Sequence, residues 1–283
     1  MIRRLAIVGV GLLGGSLAKA ARARGLASEI VGVGRDASRL EAGRRDGVLD
    51  RITTDLAAGV SDADFVILGA PVLAIPSLLD AVTKVAGPET IVTDVGSTKR
   101  AIVAAAAGLA RHRCLRFVGS HPMAGSEQSG YAHARADLFH GATVIVTPTE
   151  ASEPAAVKTV TALWEGVGAG RVITLDPDVH DRAVAAISHL PHLAAFALVD
   201  AVERFEPGAF EVAARGFRDT TRVAAADPVM WEEIFLANRD ALAEGLEAFR
   251  AALADLARLI ERGDGDALRA ALARIKARRE ALR

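Results

Sequence analysis

The sequence predicts an α/β chain in which a doubly wound N-terminal sheet, covered by helices on both faces, is followed by an all-α C-terminal domain. Three observations carry this reading. Short β-branched runs alternate with alanine-rich amphipathic segments through the first half of the chain. A glycine turn, Gly9-Val10-Gly11-Leu12-Leu13-Gly14, joins the first such run to the first helical segment. After Asp176-Pro177-Asp178 almost nothing reads as strand. Strand–helix alternation means a parallel sheet, because parallel neighbours need a crossover connection.

The elements follow in order. Residues 5–8 read as a strand and 14–24 as a helix, and 29–33 with 37–46 repeat the pair. Residues 64–69, which include Phe-Val-Ile-Leu, read as a buried strand. Another strand at 91–94 precedes a helix at 97–111, and strands at 117–118, 143–146 and 171–175 close the series. Residues 179–202 are then apolar at helical spacing, with Pro191 expected to kink the run. Residues 229–262 read as two helices or one bent helix; Gly263-Asp264-Gly265 breaks the pattern before a last helix at 266–282. The expected domains are 1–175, for a dinucleotide, and 176–283, for substrate and dimerisation. Leu242, Leu246, Phe249, Leu253, Leu256 and Ile260 make an apolar stripe, and Leu236 and Ala243 widen it. A helix so apolar needs a deep core or a partner, so a homodimer is expected.

Composition narrows the function classes. The chain has 283 residues, enough for two cores, and only 4% of them are aromatic, so Ala, Leu, Val and Ile must fill those cores. Lys+Arg is 34 and Asp+Glu is 35, which gives no general attraction to nucleic acid or an anionic membrane. No uninterrupted apolar run has the length of a bilayer span. Met1-Ile2-Arg3-Arg4 starts like a signal peptide, but the glycines that follow interrupt the apolar region, and it reads as mature structure. Cys114 is the single cysteine, which excludes an internal disulfide and a cysteine metal cluster and fits a reducing cytoplasm.

Gly9, Gly11 and Gly14 sit where a Rossmann-like fold binds pyrophosphate. The first permits the tight turn, the second lets backbone approach phosphate, and the third lets helix pack on strand. Leu12, Leu13 and the Ala70-Pro71 pair join them as candidate cofactor contacts. The second strand ends Val33-Gly34-Arg35-Asp36, with Gly34 where an NAD-binding acid is usual. Arg35 beside that missing acid favours the 2′-phosphate of NADP. NAD stays open, through Asp36, if the strand runs one residue longer.

Ser97 follows the strand at 91–94 and reads as a helix N-cap at the ligand-binding edge of the sheet. His121, just after the strand at 117–118, can accept a proton there near neutral pH. His180, His189 and His192 lack a partnering carboxylate motif, so a metal site is disfavoured. Packing or capping is the preferred reading for His180 and His189. Asp227-Pro228 reads as a helix start and Trp231 as a core or interface residue.

These residues together resemble the prephenate/arogenate dehydrogenase family. The resemblance runs through Gly9–Gly15, Asp94–Lys99, Gly119–Gly130, His180-Asp181, Ser188–His192, Gly216–Arg222 and Asp227–Trp231. It implies His121 as the catalytic hydrogen-bond acceptor, with Ser97 orienting it and the nicotinamide. It implies substrate contacts for Ser126, Glu127, Ser188, His192 and Arg222, the last as the cation for a substrate carboxylate. The implied reaction is oxidative decarboxylation of prephenate, or of arogenate, its amino analogue, without a metal. A 3-hydroxyacid dehydrogenase or imine reductase would share the architecture but typically uses a lysine on a central helix. The helix after Asp176 has none. Arg215 stands where the family often has glycine.

Overall fold

The computed structural model describes residues 1–110, 115–126 and 128–282. An eight-stranded sheet is built from β1 (Ile2–Val8), β2 (Ala27–Val33), β3 (Arg51–Thr53), β4 (Phe65–Leu68), β5 (Ile91–Asp94), β6 (Arg116–Pro122), β7 (Thr143–Thr147) and β8 (Arg171–Thr174). Its order is β3-β2-β1-β4-β5-β6-β7-β8. The helices of this half are α1 (Leu12–Ala23), α2 (Ala37–Arg45), α3 (Leu56–Val60), α4 (Ile75–Thr83), α5 (Arg100–Ala110) and α6 (Pro154–Gly166). The order reverses between β1 and β4, and the crevice at the carboxyl ends of strands at such a reversal is where open α/β sheets bind ligands.

Double winding is visible in single strands. Leu5 and Ile7 of β1 join the core under α1 and α6, with Leu17, Val160 and Trp164. Ala6 and Val8 join the opposite core, with Leu79 of α4 and Ile102 and Val103 of α5. Successive side chains point to opposite faces, so a strand buried on both must be apolar throughout.

The expectation of an all-parallel sheet is corrected at one place. β6 and β7 pair antiparallel, with His121 opposite Ile145. Among the described residues between them there is no α-helix, only a 3-10 turn, Tyr131–His133, and a following turn. Without a crossover helix the chain returns beside the strand it left. β7 and β8 are joined through α6 and are parallel to each other. β6 also runs further than expected, so His121 lies inside it rather than after it.

Everything after β8 is helical: α7 (Pro177–Val184), α8 (Leu190–Phe205), α9 (Arg215–Thr221), α10 (Pro228–Ala237), α11 (Arg239–Glu261) and α12 (Gly265–Glu280). Asp176 caps α7 and Asp227 caps α10, each accepting two backbone N–H bonds, with proline in the first turn. A π turn, Ala185–His189, joins α7 to α8 just ahead of Pro191. The pattern at 229–262 resolves into two helices, which part at Asn238. By compactness the chain divides into residues 1–238 and 239–283. The second unit is the α11–α12 pair.

Within the 29-residue helical run Pro177–Phe205, an 18-residue stretch has a mean hydropathy of 1.4, enough in length and composition for a bilayer span. Ser188, His189 and His192 interrupt it, so the reading that no uninterrupted apolar run has that length stands. His180, Asp181 and His189 are buried on it and bonded within the first unit.

Asn238 fastens this run to α10. It donates from Nδ2 to the carbonyl of Asp181 at 2.7 Å and meets His189 Nδ1 at 3.2 Å. Burial holds His189 at about 4, below its ordinary 6.5, despite the nearby Asp181 carboxylate. Between those values the unfolded chain binds a proton that the folded chain refuses. The stability this contributes is therefore full above about pH 6.5 and is lost as pH falls toward 4. Melting should occur about 4–8 °C lower at pH 5 than at pH 7.5, and His189→Gln should flatten that slope. A melting temperature constant from pH 7.5 to 5 would contradict the assignment.

Candidate active site

The pyrophosphate cradle begins at the end of β1. Gly9 has φ +98°, and a Cβ there would sit 2.4 Å from the carbonyl oxygen of Gly69. A Cβ on Gly14 would lie 2.1 Å from the carbonyl oxygen of Gly9. Around Gly11 the space is open. Gly11 caps α1 without a side-chain bond, and no acid lies in the first turn. The first amides of α1 are thus left for an anion. These residues fit a dinucleotide: two glycines close the turn and the third opens it toward the ligand. Leu12 and Leu13 are half-buried at the start of α1, and Ala70 and Pro71 follow β4 at the same edge.

At the end of β2, Gly34 is half-buried and Arg35 exposed, without an ion pair to any described residue. Asp36 accepts the Ser38 N–H at 2.9 Å and the Ser38 hydroxyl at 2.7 Å, as the N-cap of α2. Those bonds hold its carboxyl below the usual carboxylate range.

Beyond the cradle the site is organised by buried polar groups. His121 Nδ1 lies 2.8 Å from His180 Nε2, and His180 Nδ1 lies 2.7 Å from Asp181 Oδ1. The carboxylate can only accept, so His180 carries its proton on Nδ1 and accepts at Nε2. His121 must then donate from Nδ1, which leaves its Nε2 lone pair free. Burial lowers the His121 pKa well below 6.5, and His180, Lys99 and His189 push it the same way. His121 is therefore neutral near pH 7. Burial opposes ionisation of Asp181, but bonds from His180 and from the Lys99 and Arg100 amides outweigh it and leave the carboxyl ionised. Base, relay and carboxylate form one connected chain.

Ser97 is half-buried in the loop between β5 and α5. It is not the cap of that helix, contrary to expectation. α5 starts at Arg100, and the amides of Lys99 and Arg100 donate to the Asp181 carboxylate at 2.7 and 3.0 Å. An acid from a distant helix has taken the capping role. Within the loop, Asp94 accepts the amides of Gly96 at 2.8 Å and Ser120 at 3.2 Å, and pairs with Lys99. Asp94 and Lys99 are both fully buried. Gly96 adjoins Ser97 and Ser120 adjoins His121, so one carboxylate holds the backbone beside both.

A second group lies further along the Pro177–Phe205 run. His192 donates from Nδ1 to the Ser188 carbonyl at 2.8 Å and stacks on Trp231, with centroids 3.6 Å apart. Burial lowers the His192 pKa, the Ser188 bond opposes this, and the charge of Arg222 adds to the lowering. Arg222 is therefore within electrostatic reach of this imidazole. Arg215 points to solvent and pairs with Asp219 at 3.2 Å. Ser126 is exposed, its hydroxyl accepting the Gln128 N–H at 3.2 Å. Glu127 lies outside the described residues.

Sequence reasoning missed His180, Asp181, Asp94, Lys99 and Asn238 as parts of the site. It read His180 as packing. An adjacent His-Asp pair was a signal, but nothing local tells that its partner is 59 residues away.

Residues 17–174 match the family model for the nucleotide-binding domain of prephenate dehydrogenase, and residues 176–274 match the model for its dimerization domain. The glycine turn precedes both matches and rests on its own geometry. The prephenate dehydrogenase of Bacillus subtilis is 34% identical over 266 residues, covering 93% of this chain and 71% of that protein. The crystal structure of prephenate dehydrogenase from Aquifex aeolicus with hydroxyphenyl propionate and NAD+ superposes with a TM-score of 0.92 at 33% identity. It covers 100% of this chain and 99% of that one. Arogenate dehydrogenase of Synechocystis superposes with a TM-score of 0.83 at 32% identity, over 98% and 99% of the two chains. A glycine-rich turn at the start of α1, a buried histidine relay at the sheet's carboxyl edge and matches along nearly the whole chain agree: this protein belongs to the prephenate dehydrogenase family.

Proposed function

We propose that this protein oxidatively decarboxylates prephenate to 4-hydroxyphenylpyruvate with NAD(P), in tyrosine biosynthesis in the cytoplasm. The observation that carries the reading is the His121–His180–Asp181 chain, which leaves one free imidazole lone pair beside the dinucleotide crevice. When bound, a nicotinamide dinucleotide would supply the acceptor for a hydride from the hydroxyl-bearing ring carbon, and loss of the ring carboxylate as carbon dioxide would make the ring aromatic. His121 accepts the hydroxyl proton at Nε2. His180 and Asp181 stabilise the imidazolium that results, since the positive charge faces a carboxylate through one neutral ring. Ser97 orients the reacting groups from the loop held by Asp94. Arg222 pairs with a substrate carboxylate, and Ser188, His192, Ser126 and Glu127 complete the pocket.

Arogenate is the second reading, favoured by the likeness to the Synechocystis enzyme. An assay that crosses prephenate and arogenate with NAD and NADP decides the substrate. His121→Asn should keep dinucleotide affinity and lower turnover by about two to four powers of ten. Turnover within a few-fold of wild type would remove His121 from the chemistry.

NADP is the coenzyme this chain favours. Arg35 is exposed after the end of β2 without an ion pair to any described residue, while Asp36 is committed to capping α2. Arg35→Ala should weaken NADP about tenfold or more and leave NAD nearly unchanged; wild type that prefers NAD would reverse the assignment.

The functional division runs at 175/176, and the helical part joins two copies. Phe249, Leu253 and Ile260 of α11 and Leu272 and Ile275 of α12 are exposed. Within the first unit, Phe196, Trp231, Phe235 and Leu236 border an open apolar hollow of about 360 Å³. Light scattering should give twice the 29.5 kDa of one chain, and a concentration-independent monomer mass would refute the homodimer.

A further inference from the structure

Gly15 lies one residue beyond the phosphate cradle and has no part in it. A Cβ there would meet Tyr131 Cδ2 at 2.8 Å and Ala134 Cβ at 3.0 Å. Gly43 of α2 is close to the same ring, its Cβ position 3.3 Å from Tyr131 Cε2. α1 thus leaves out a side chain to seat this tyrosine, and Gly43, whose Cβ position lies nearest Leu49 at 2.8 Å, leaves the far edge of the ring clear. The Tyr131 hydroxyl donates to Asp46 Oδ2 at 3.1 Å. Lys19 of α1 stands 4.5 Å above the ring centroid and donates to the Ala134 carbonyl at 2.9 Å. The buried Ser16 hydroxyl accepts the Arg135 N–H at 2.9 Å. Gly130, at φ +89°, turns the chain into this seat in a backbone conformation that other residues rarely adopt.

The segment after β6 is therefore held at two ends. At one end Met123 donates to the Thr143 carbonyl at 2.8 Å, continuing the β6–β7 pairing. At the other Tyr131 is buried, whereas the described residues from 125 to 130 are exposed. Ser126 lies between the two anchors. The second anchor is fixed to the first turns of the helix whose amino end faces the dinucleotide.

We propose that Tyr131 is a positioning residue that couples the two ligand sites: through α1 it holds the Ser126 segment against the dinucleotide cradle, so that bound dinucleotide tightens binding of the aromatic substrate. The proposal rests on the functional reading above. Dinucleotide on the amides of α1 orders that helix start, and the clamp passes the order to the segment. The segment then has less conformational freedom left to lose when the second ligand binds, and the coupling is reciprocal.

The test is binding of hydroxyphenyl propionate to the full-length protein by calorimetry, with and without saturating NADP+ and, in parallel, NAD+. In wild type the dinucleotide should tighten the probe about 5- to 20-fold. In Tyr131→Leu the ratio should fall to about 1–2, while dinucleotide affinity alone changes less than about threefold. Tyr131→Phe keeps the ring in its seat and should retain most of the coupling. Lys19→Met should lose part of it, and carries the test if the leucine variant does not fold. A wild-type ratio of 1, or an unchanged ratio in Tyr131→Leu or Lys19→Met with only a lower melting temperature, overturns the proposal. Turnover of prephenate or arogenate with the coupling intact in the variants sinks the clamp alone. Absence of turnover of either substrate by wild type sinks the functional reading itself.

Discussion

The Asp181 carboxylate satisfies three donors at once: the Lys99 and Arg100 amides that open α5 and the imidazole of His180. The orphan amides of a helix start need an acceptor, and here it comes from a helix 80 residues away rather than from a local serine. That choice joins two parts of the molecule. The loop carrying Ser97 and the strand end carrying His121 are placed relative to α7 by one ionised group. The charge is stabilised by fixed dipoles and by His180, and it is in turn available to stabilise a protonated His121.

A second buried carboxylate does complementary work on the sheet side. Asp94 and Lys99 are both without solvent exposure and neutralise each other, a pair in which losing one partner would leave a buried charge at a cost of about 3–5 kcal/mol. Burial depresses the Lys99 pKa and Asp94 opposes it. The pair occupies the space beside Gly119, where a Cβ would touch Thr147 Oγ1 at 2.5 Å and Lys99 Cδ at 3.4 Å. The glycine therefore has a packing reason: a side chain there would collide with the Thr147 hydroxyl on the paired strand, with Val103 and Lys99 close behind it. His121 lies near the cation of one pair and hydrogen-bonds to the relay of the other carboxylate, which keeps it neutral at rest and able to take a proton.

Much of this was legible in one dimension. Short β-branched runs set between amphipathic helical segments predicted every strand of the sheet except β3, since Arg51–Thr53 is three residues long and half-exposed. Gly9 and Gly14 announced their turn because no other residue satisfies φ +98° at the first and backbone approaches under 2.5 Å at both. Asp227-Pro228 announced a helix start because capping is chemistry among neighbours. The direction of β7 was not legible. It depended on the absence of a helix in the connection, and polar loop residues do not encode the side on which a chain returns.

Local rules therefore determined the alternation of strands and helices, the phosphate turn, the caps and the presence of His121 at the sheet's ligand edge. Each depends on residues within one or two turns of one another, where spacing and side-chain type decide the energy. Tertiary structure alone decided that His180 is a relay rather than packing, that Asp181 and not Ser97 caps α5, and that Tyr131 sits against Gly15 and Gly43. Those contacts join residues 59, 82 and 116 positions apart, the last being the distance from Gly15 to Tyr131. A buried polar group must find a partner somewhere, but its own sequence neighbourhood does not say which one; only the packed chain brings the candidates within bonding distance.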